Sequence, residues 1–118
     1  MLQPEDAYDR YVRAWNEPEQ AAALLEECWA EDGVYADDEV PDGVVGRAAL
    51  AALIVETHES LPGFRVWSTS APRMYAGRLG VTWEGEGGNP PEHQAGADVL
   101  EFAADGRIAR LTDVYTAT

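Results

Sequence analysis

The sequence predicts an α+β domain, with three N-terminal helices packed on one face of a curved antiparallel β-sheet. Three observations carry this reading. Up to Leu61, apolar residues recur at helical spacing in three separate stretches. From Phe64 onward the period shortens to alternation, in segments rich in aromatic and β-branched residues divided by Gly or Asp-Gly turns. The length of 118 residues suits one domain spanning 1–118. A core of that size buries about two-thirds of the unfolded surface. A sheet curving over helices forms a cone, with a natural cavity at its mouth.

The first helix is expected from Pro4 to Trp15. Tyr8, Tyr11, Val12 and Trp15 share one face, and Asp6 and Asp9 lie on the early turns favoured by the helix dipole. Asn16-Glu17-Pro18 interrupts it, and Pro18 suits the first position of a second helix. That helix is expected to run to about Trp29 and to bury Ala21, Leu24, Leu25, Cys28 and Trp29. Gly33 to Asp37 reads as a short strand. Val44 to Arg47 leads into a third helix, on which Leu50, Leu53, Ile54, Thr57 and Leu61 repeat until Pro62-Gly63 stops it. Strands are expected at Phe64–Tyr75, Leu79–Glu86, Gln94–Ala103 and Arg107–Thr116, with "EGEGGNPPEH" as a long exposed loop.

Charge and composition narrow the function. The net charge is −14, from 22 acidic and 8 basic residues. Such a surface repels phosphate backbones and anionic lipid, so neither nucleic acid nor membrane is an expected partner. Cys28 is the only cysteine, which excludes an intramolecular disulfide and a cysteine-based zinc site. His58 and His93 have no carboxylate at ligand spacing, so no His-based metal site is expected. No signal-like start and no apolar run of about 18 residues is found, and a cytoplasmic location is expected. No serine sits in a nucleophile motif, and no Gly-rich loop has a phosphate-binding pattern.

Carboxylates carry the chemical interest. "YADDEVPDGVVGR", Tyr35 to Arg47, ends a strand in Asp37, Asp38 and Glu39. These are either solvated turn residues or, for Asp37, a base directed into a pocket. The last hairpin places a second set. If Asp105-Gly106 forms a two-residue turn, cross-strand partners sum to 211. Phe102 then faces Ala109, Leu100 faces Leu111, and Asp98 faces Asp113. A three-residue loop with a glycine bulge would shift this register by one and leave the two Asp side chains diagonal. The face with Leu100, Phe102, Leu111 and Tyr115 reads as core. The face with Val99, Glu101, Ile108, Arg110, Thr112 and Val114 reads as outer. Opposed carboxyls inside a core repel, so one is expected to be protonated at neutral pH.

The segments "RYVRAWN", "AEDGVYADDEVPDGVVGRAAL" and "ADVLEFAADGRIARL" resemble the NTF2-like superfamily, which includes ketosteroid isomerase and the SnoaL-like polyketide cyclases. The resemblance covers nearly the whole chain. It implies a cone-shaped fold, a small hydrophobic ligand and cofactor-free acid–base chemistry on a carbonyl compound. By position relative to the two "GR" pairs, it implies Asp37 as base, with Tyr11 and a protonated Asp98 as hydrogen-bond donors to an enolate. A neutral Asp donor beside a separate Asp base is the known arrangement in ketosteroid isomerase. Asp113 matches a functional Asp of SnoaL-like cyclases and limonene-type epoxide hydrolases. "RLGVTWEGE" lacks the Arg-x-Asp that the hydrolases need. The expected pocket holds Tyr11, Trp15, Asp37, Asp98, Leu111, Asp113 and Tyr115, with the carboxylates at its deep end. Isomerisation and aldol-type cyclisation both remain open, as does a non-catalytic ligand-binding or dimerisation module. A homodimer through the outer sheet face is expected, from Trp67, Val81, Val99 and Val114.

Overall fold

Pro4 opens α1 (Pro4–Asn16) at a position where its missing N–H costs nothing. Glu5 and Asp6 in the first turn and Arg13 in the last complement the helix dipole. The computed structural model describes residues 1–117. A 3-10 turn (Pro18–Gln20) follows, then α2 (Ala21–Cys28), β1 (Trp29–Ala36), β2 (Val44–Val45) and α3 (Arg47–Ser60). The remaining strands are β3 (Arg65–Ser68), β4 (Arg73–Tyr75), β5 (Arg78–Gly87), β6 (Glu92–Phe102) and β7 (Ile108–Ala117). The three helices pack on a curved sheet ordered β2-β1-β7-β6-β5-β3, with β4 also paired to β5.

Several boundaries differ from expectation. Trp29 starts β1 instead of ending α2, and β1 is longer than Gly33–Asp37. It runs parallel to β7 while its other neighbour, β2, is antiparallel, so the sheet is mixed. The segment 64–75 is two strands, and "EGEGGNPPEH" is mostly strand, with only a tight turn at 88–91. His93 therefore lies on β6, where its Nε2 pairs with Glu84 at 2.9 Å.

Asn16 fixes α1 to the sheet edge. Its side-chain amide donates to the Val66 carbonyl at 2.9 Å and accepts from the Val66 N–H at 2.7 Å, mimicking a strand partner. His58 ties α3 to α1 through the Trp15 carbonyl at 2.6 Å. Cys28 belongs to the core, where burial pushes its thiol up to about 12.

The last hairpin reaches the expected register by a different route. Ala103 N–H donates to Arg107, Gly106 N–H to Ala103, and Gly106 has φ +89°. The connection is thus the three-residue loop Ala104-Asp105-Gly106, with glycine in the left-handed position. A Cβ there would also strike the Leu2 backbone. Phe102 pairs with Ile108 rather than Ala109. The extra residue Ala109 then bulges, so that Glu101 pairs with Arg110 and Asp98 with Asp113. Ile108, expected on the outer face, is fully buried. Val81 is buried opposite Asp98, and Trp67 lines the cavity described below, so neither belongs to the outer patch. Val99 and Val114 remain exposed there.

A candidate active site around two opposed carboxyls

A cavity of about 370 Å³ lies between α1, α3 and the concave sheet face. Tyr8, Tyr11, Val12 and Trp15 come to its wall from α1, and Leu53, Thr57 and Leu61 from α3 and its end. Those are residues whose helical spacing marked them in the sequence. Tyr11 stacks on Trp29 with ring centroids 5.7 Å apart, and Trp15 packs edge-on against Phe64. Trp15 and Tyr115 line the cavity as expected. Leu111 does not: it is fully buried in the core, and its neighbour two residues on, Asp113, takes the cavity position.

Asp98 and Asp113 form the deep end. They are 4% and 6% exposed, the only buried charged side chains among the described residues. Asp98 Oδ2 accepts from the Tyr8 hydroxyl at 2.9 Å, and Asp113 Oδ1 accepts from the Trp83 indole N–H at 2.8 Å. Burial, and then the charge of Asp113, hold the Asp98 carboxyl well above the usual range, against the opposing Tyr8 hydrogen bond. Both effects favour the neutral form of Asp98. Its proton fits on Oδ1, the oxygen no donor reaches, shared toward Asp113. Burial pushes Asp113 up to about 7, while Trp83 and the shared Asp98 proton limit the rise. Two neighbouring carboxyls with one proton between them titrate as a pair.

Tyr8 and Trp83 were not anticipated. Tyr8 is one turn before Tyr11 on the same helix face, so periodicity placed it inside without distinguishing it. Trp83 reaches Asp113 because Gly96 leaves room: a Cβ on Gly96 would lie 2.8 Å from the indole Cζ2. Replacing Tyr8 with Phe is expected to cost about 1–3 kcal/mol in urea unfolding, since Asp98 Oδ2 is left buried without a donor. The same change should raise the titration of the pair further. Unchanged stability would mean that water replaces the hydroxyl.

Asp37 sits at the cavity mouth, differently equipped. Its Oδ2 accepts from the Tyr35 and Tyr115 hydroxyls at 2.6 and 3.1 Å. Its Oδ1 accepts from the N–H groups of Glu39 and Val40 at 2.8 and 2.9 Å. A carboxylate has about four lone-pair sites, and here all have donors. Asp37 thus ties the turn after β1 to two tyrosines, and it must break a hydrogen bond before it can take a proton. Burial keeps both phenols neutral by raising their pKa.

Because β1 pairs with β7 only as far as Ala36–Thr112, β7 is uncovered beyond that point. A second cavity of about 220 Å³ opens there beside Asp37, Arg110 and Asp113. Asp113 touches both cavities. Among the described residues, no group of three His, Cys, Asp or Glu side chains is placed to hold a metal ion, and no helix is long and apolar enough to cross a membrane.

The sequence pattern of the SnoaL-like domain matches residues 8–111. Among curated proteins, none matches. Solved structures share the fold. A candidate isomerase of the SnoaL-like family from Agrobacterium tumefaciens superposes with a TM-score of 0.84 at 24% identity, over 99% of this chain and 100% of its own. A candidate polyketide cyclase from Xanthomonas campestris gives 0.74 at 20%, over 96% and 90%. A protein with a ketosteroid isomerase-like fold from Catenulispora acidiphila, solved with trimethylamine, gives 0.77 at 18%, over 95% and 85%.

Proposed function

This chain belongs to the SnoaL-like domain family, and from its cavity we propose that it catalyses proton transfer on a small hydrophobic carbonyl or related compound, without a cofactor. The observation that carries this reading is the buried Asp98–Asp113 pair in the cavity wall, with Asp113 raised to about 7. A base poised near the working pH combines the right protonation state with useful driving force. Asp113, rather than Asp37, takes the proton next to the carbonyl. The C–H electron pair becomes the C=C bond of an enolate, and the carbonyl π pair moves to oxygen. The Tyr11 hydroxyl, neutral because burial raises its pKa, is the donor to that oxygen. Neutral Asp98 supports the Asp113 anion. Asp113 then returns its proton at another carbon, an isomerisation, or to the alkoxide formed when the enolate carbon attacks a second carbonyl, an aldol cyclisation.

The test pairs turnover of simple β,γ-unsaturated ketones with phenol binding followed by absorbance across the neutral range. Turnover that rises as Asp113 ionises supports the reading. If no such ketone reacts and no phenol binds, the chain is a binding module instead.

We also propose that the outer sheet face joins two copies of the chain through Val99 and Val114, which are 42% and 50% exposed. Sedimentation at high micromolar concentration should give a dimer that Val114→Glu dissociates. A strict monomer would reject it.

A further inference from the structure

The charge of the cavity wall constrains the ligand further. Six carboxyl groups line it: Asp98 and Asp113 deep inside, Asp37 near the mouth, and Glu39, Glu56 and Glu92 at the exposed rim. Among the described residues, no arginine or histidine lines it. The eight lysine-or-arginine positions are all arginines, and seven of them are engaged by partners. Arg10, Arg13, Arg65, Arg78 and Arg107 pair with acidic side chains, Arg47 donates to the Trp29 carbonyl, and Arg73 lies over Tyr75. Arg110 lines only the second cavity. The three rim glutamates have no ion-pair partner among the described residues.

The rest of the wall is aromatic. Every aromatic side chain of the protein except Trp29, Tyr75 and Phe102 lines this cavity. Arg65 already covers the ring of Trp67 at 5.0 Å, a cation on an aromatic face at the cavity edge. Trp15, a lining side chain more than nine-tenths buried, carries an indole N–H without a hydrogen-bond partner. Aromatic faces attract cations through their quadrupole, most strongly where water is excluded. A rim of unpaired carboxylates raises the local concentration of cations and repels anions.

We propose that this cavity selects a positively charged hydrophobic ligand, an ammonium or iminium compound, over neutral and anionic compounds of the same shape. The inference deepens the proton-transfer reading of the same site and rests on it only for the chemistry. With an iminium substrate, Asp113 removes the proton beside the C=N⁺ carbon. The C–H pair forms the C=C bond and the C=N π pair settles on nitrogen. The carboxylate and the iminium become a carboxylic acid and a neutral enamine, so the reaction leaves no new anion among the carboxyls.

The probes are benzyltrimethylammonium, its uncharged isostere neopentylbenzene, and benzylsulfonate. Each is titrated into the full chain at neutral pH and read by tryptophan fluorescence, since Trp15 and Trp83 line the cavity. The ammonium should bind at least about tenfold tighter than the isostere, and the sulfonate should not saturate. Added salt and the combined Glu39→Gln, Glu56→Gln and Glu92→Gln variant should shrink the ammonium's advantage. Equal or tighter binding of the neutral isostere, saturable binding of the sulfonate, or no saturable binding of any probe would overturn the inference. Ketone turnover in the same preparations reports separately on the acid–base reading, so either can fail without the other.

Discussion

Asp113→Asn is expected to lower turnover by about 10²–10⁴-fold, the usual value of a positioned general base. The change is isosteric, and an Asn oxygen can still accept from Trp83, so the cavity should keep its shape and its ligand affinity. In the unaltered protein, kcat/KM should rise as pH increases through the titration of the Asp98–Asp113 pair, with Asp113 near 7. That rise should vanish in Asp113→Asn. Asp98→Asn should cost less, because a neutral amide replaces a neutral acid, and it should displace the pH profile rather than erase it. Asp37→Asn should act mainly on KM, by loosening the turn that its hydrogen bonds to Glu39 and Val40 hold. The reverse pattern, with Asp37→Asn inactive and Asp113→Asn active, would assign the base role to Asp37, where the family resemblance first located it.

The second large effect concerns stability. Both buried carboxyls have folded pKa values raised above the unfolded value, so between those values the folded chain binds more protons than the unfolded one. Stability must then fall as pH rises. The decline begins near the unfolded carboxyl value of about 4 and continues through Asp113 at about 7, with Asp98 extending it upward. For Asp113 alone the loss is on the order of 2–4 kcal/mol. The net charge of −14 acts in the same direction, since protonating surface carboxyls relieves self-repulsion. Urea unfolding should therefore show greater stability near pH 5 than near pH 8. Asp113→Asn should flatten that slope and be more stable than the parent at pH 8. A parent that gains stability on going from pH 5 to pH 8 would show that these carboxyls are ionised and compensated in the fold.

Much of this was legible in the chain itself. Helical periodicity found the cavity-facing side of α1, and strand alternation placed Asp98 and Asp113 on the core face with Leu100 and Leu111. The register came out right although the turn did not. The loop has three residues instead of two, and the bulge at Ala109 takes back the offset. Alternation also misassigned Ile108, because the bulge at Ala109 changes the parity on which the face was read. Val81 was misplaced for another reason: an apolar residue in an isolated strand does not reveal which side its neighbours cover.

What the sequence determined by itself is set by local rules: helix faces by a period of 3.6, strand faces by a period of 2, breaks by Pro and Gly, and an acidic surface by composition. What the tertiary structure decided is which groups meet across distance. Tyr8 reaches Asp98 over 90 positions, Trp83 reaches Asp113 over 30, and Tyr115 reaches Asp37 over 78. Those meetings give three similar aspartates three different settings: Asp98 held toward its neutral form, Asp113 raised to about 7, and Asp37 fully hydrogen-bonded. Carboxyl chemistry depends on burial and on the donors present, and both are properties of the packed chain that no local pattern records.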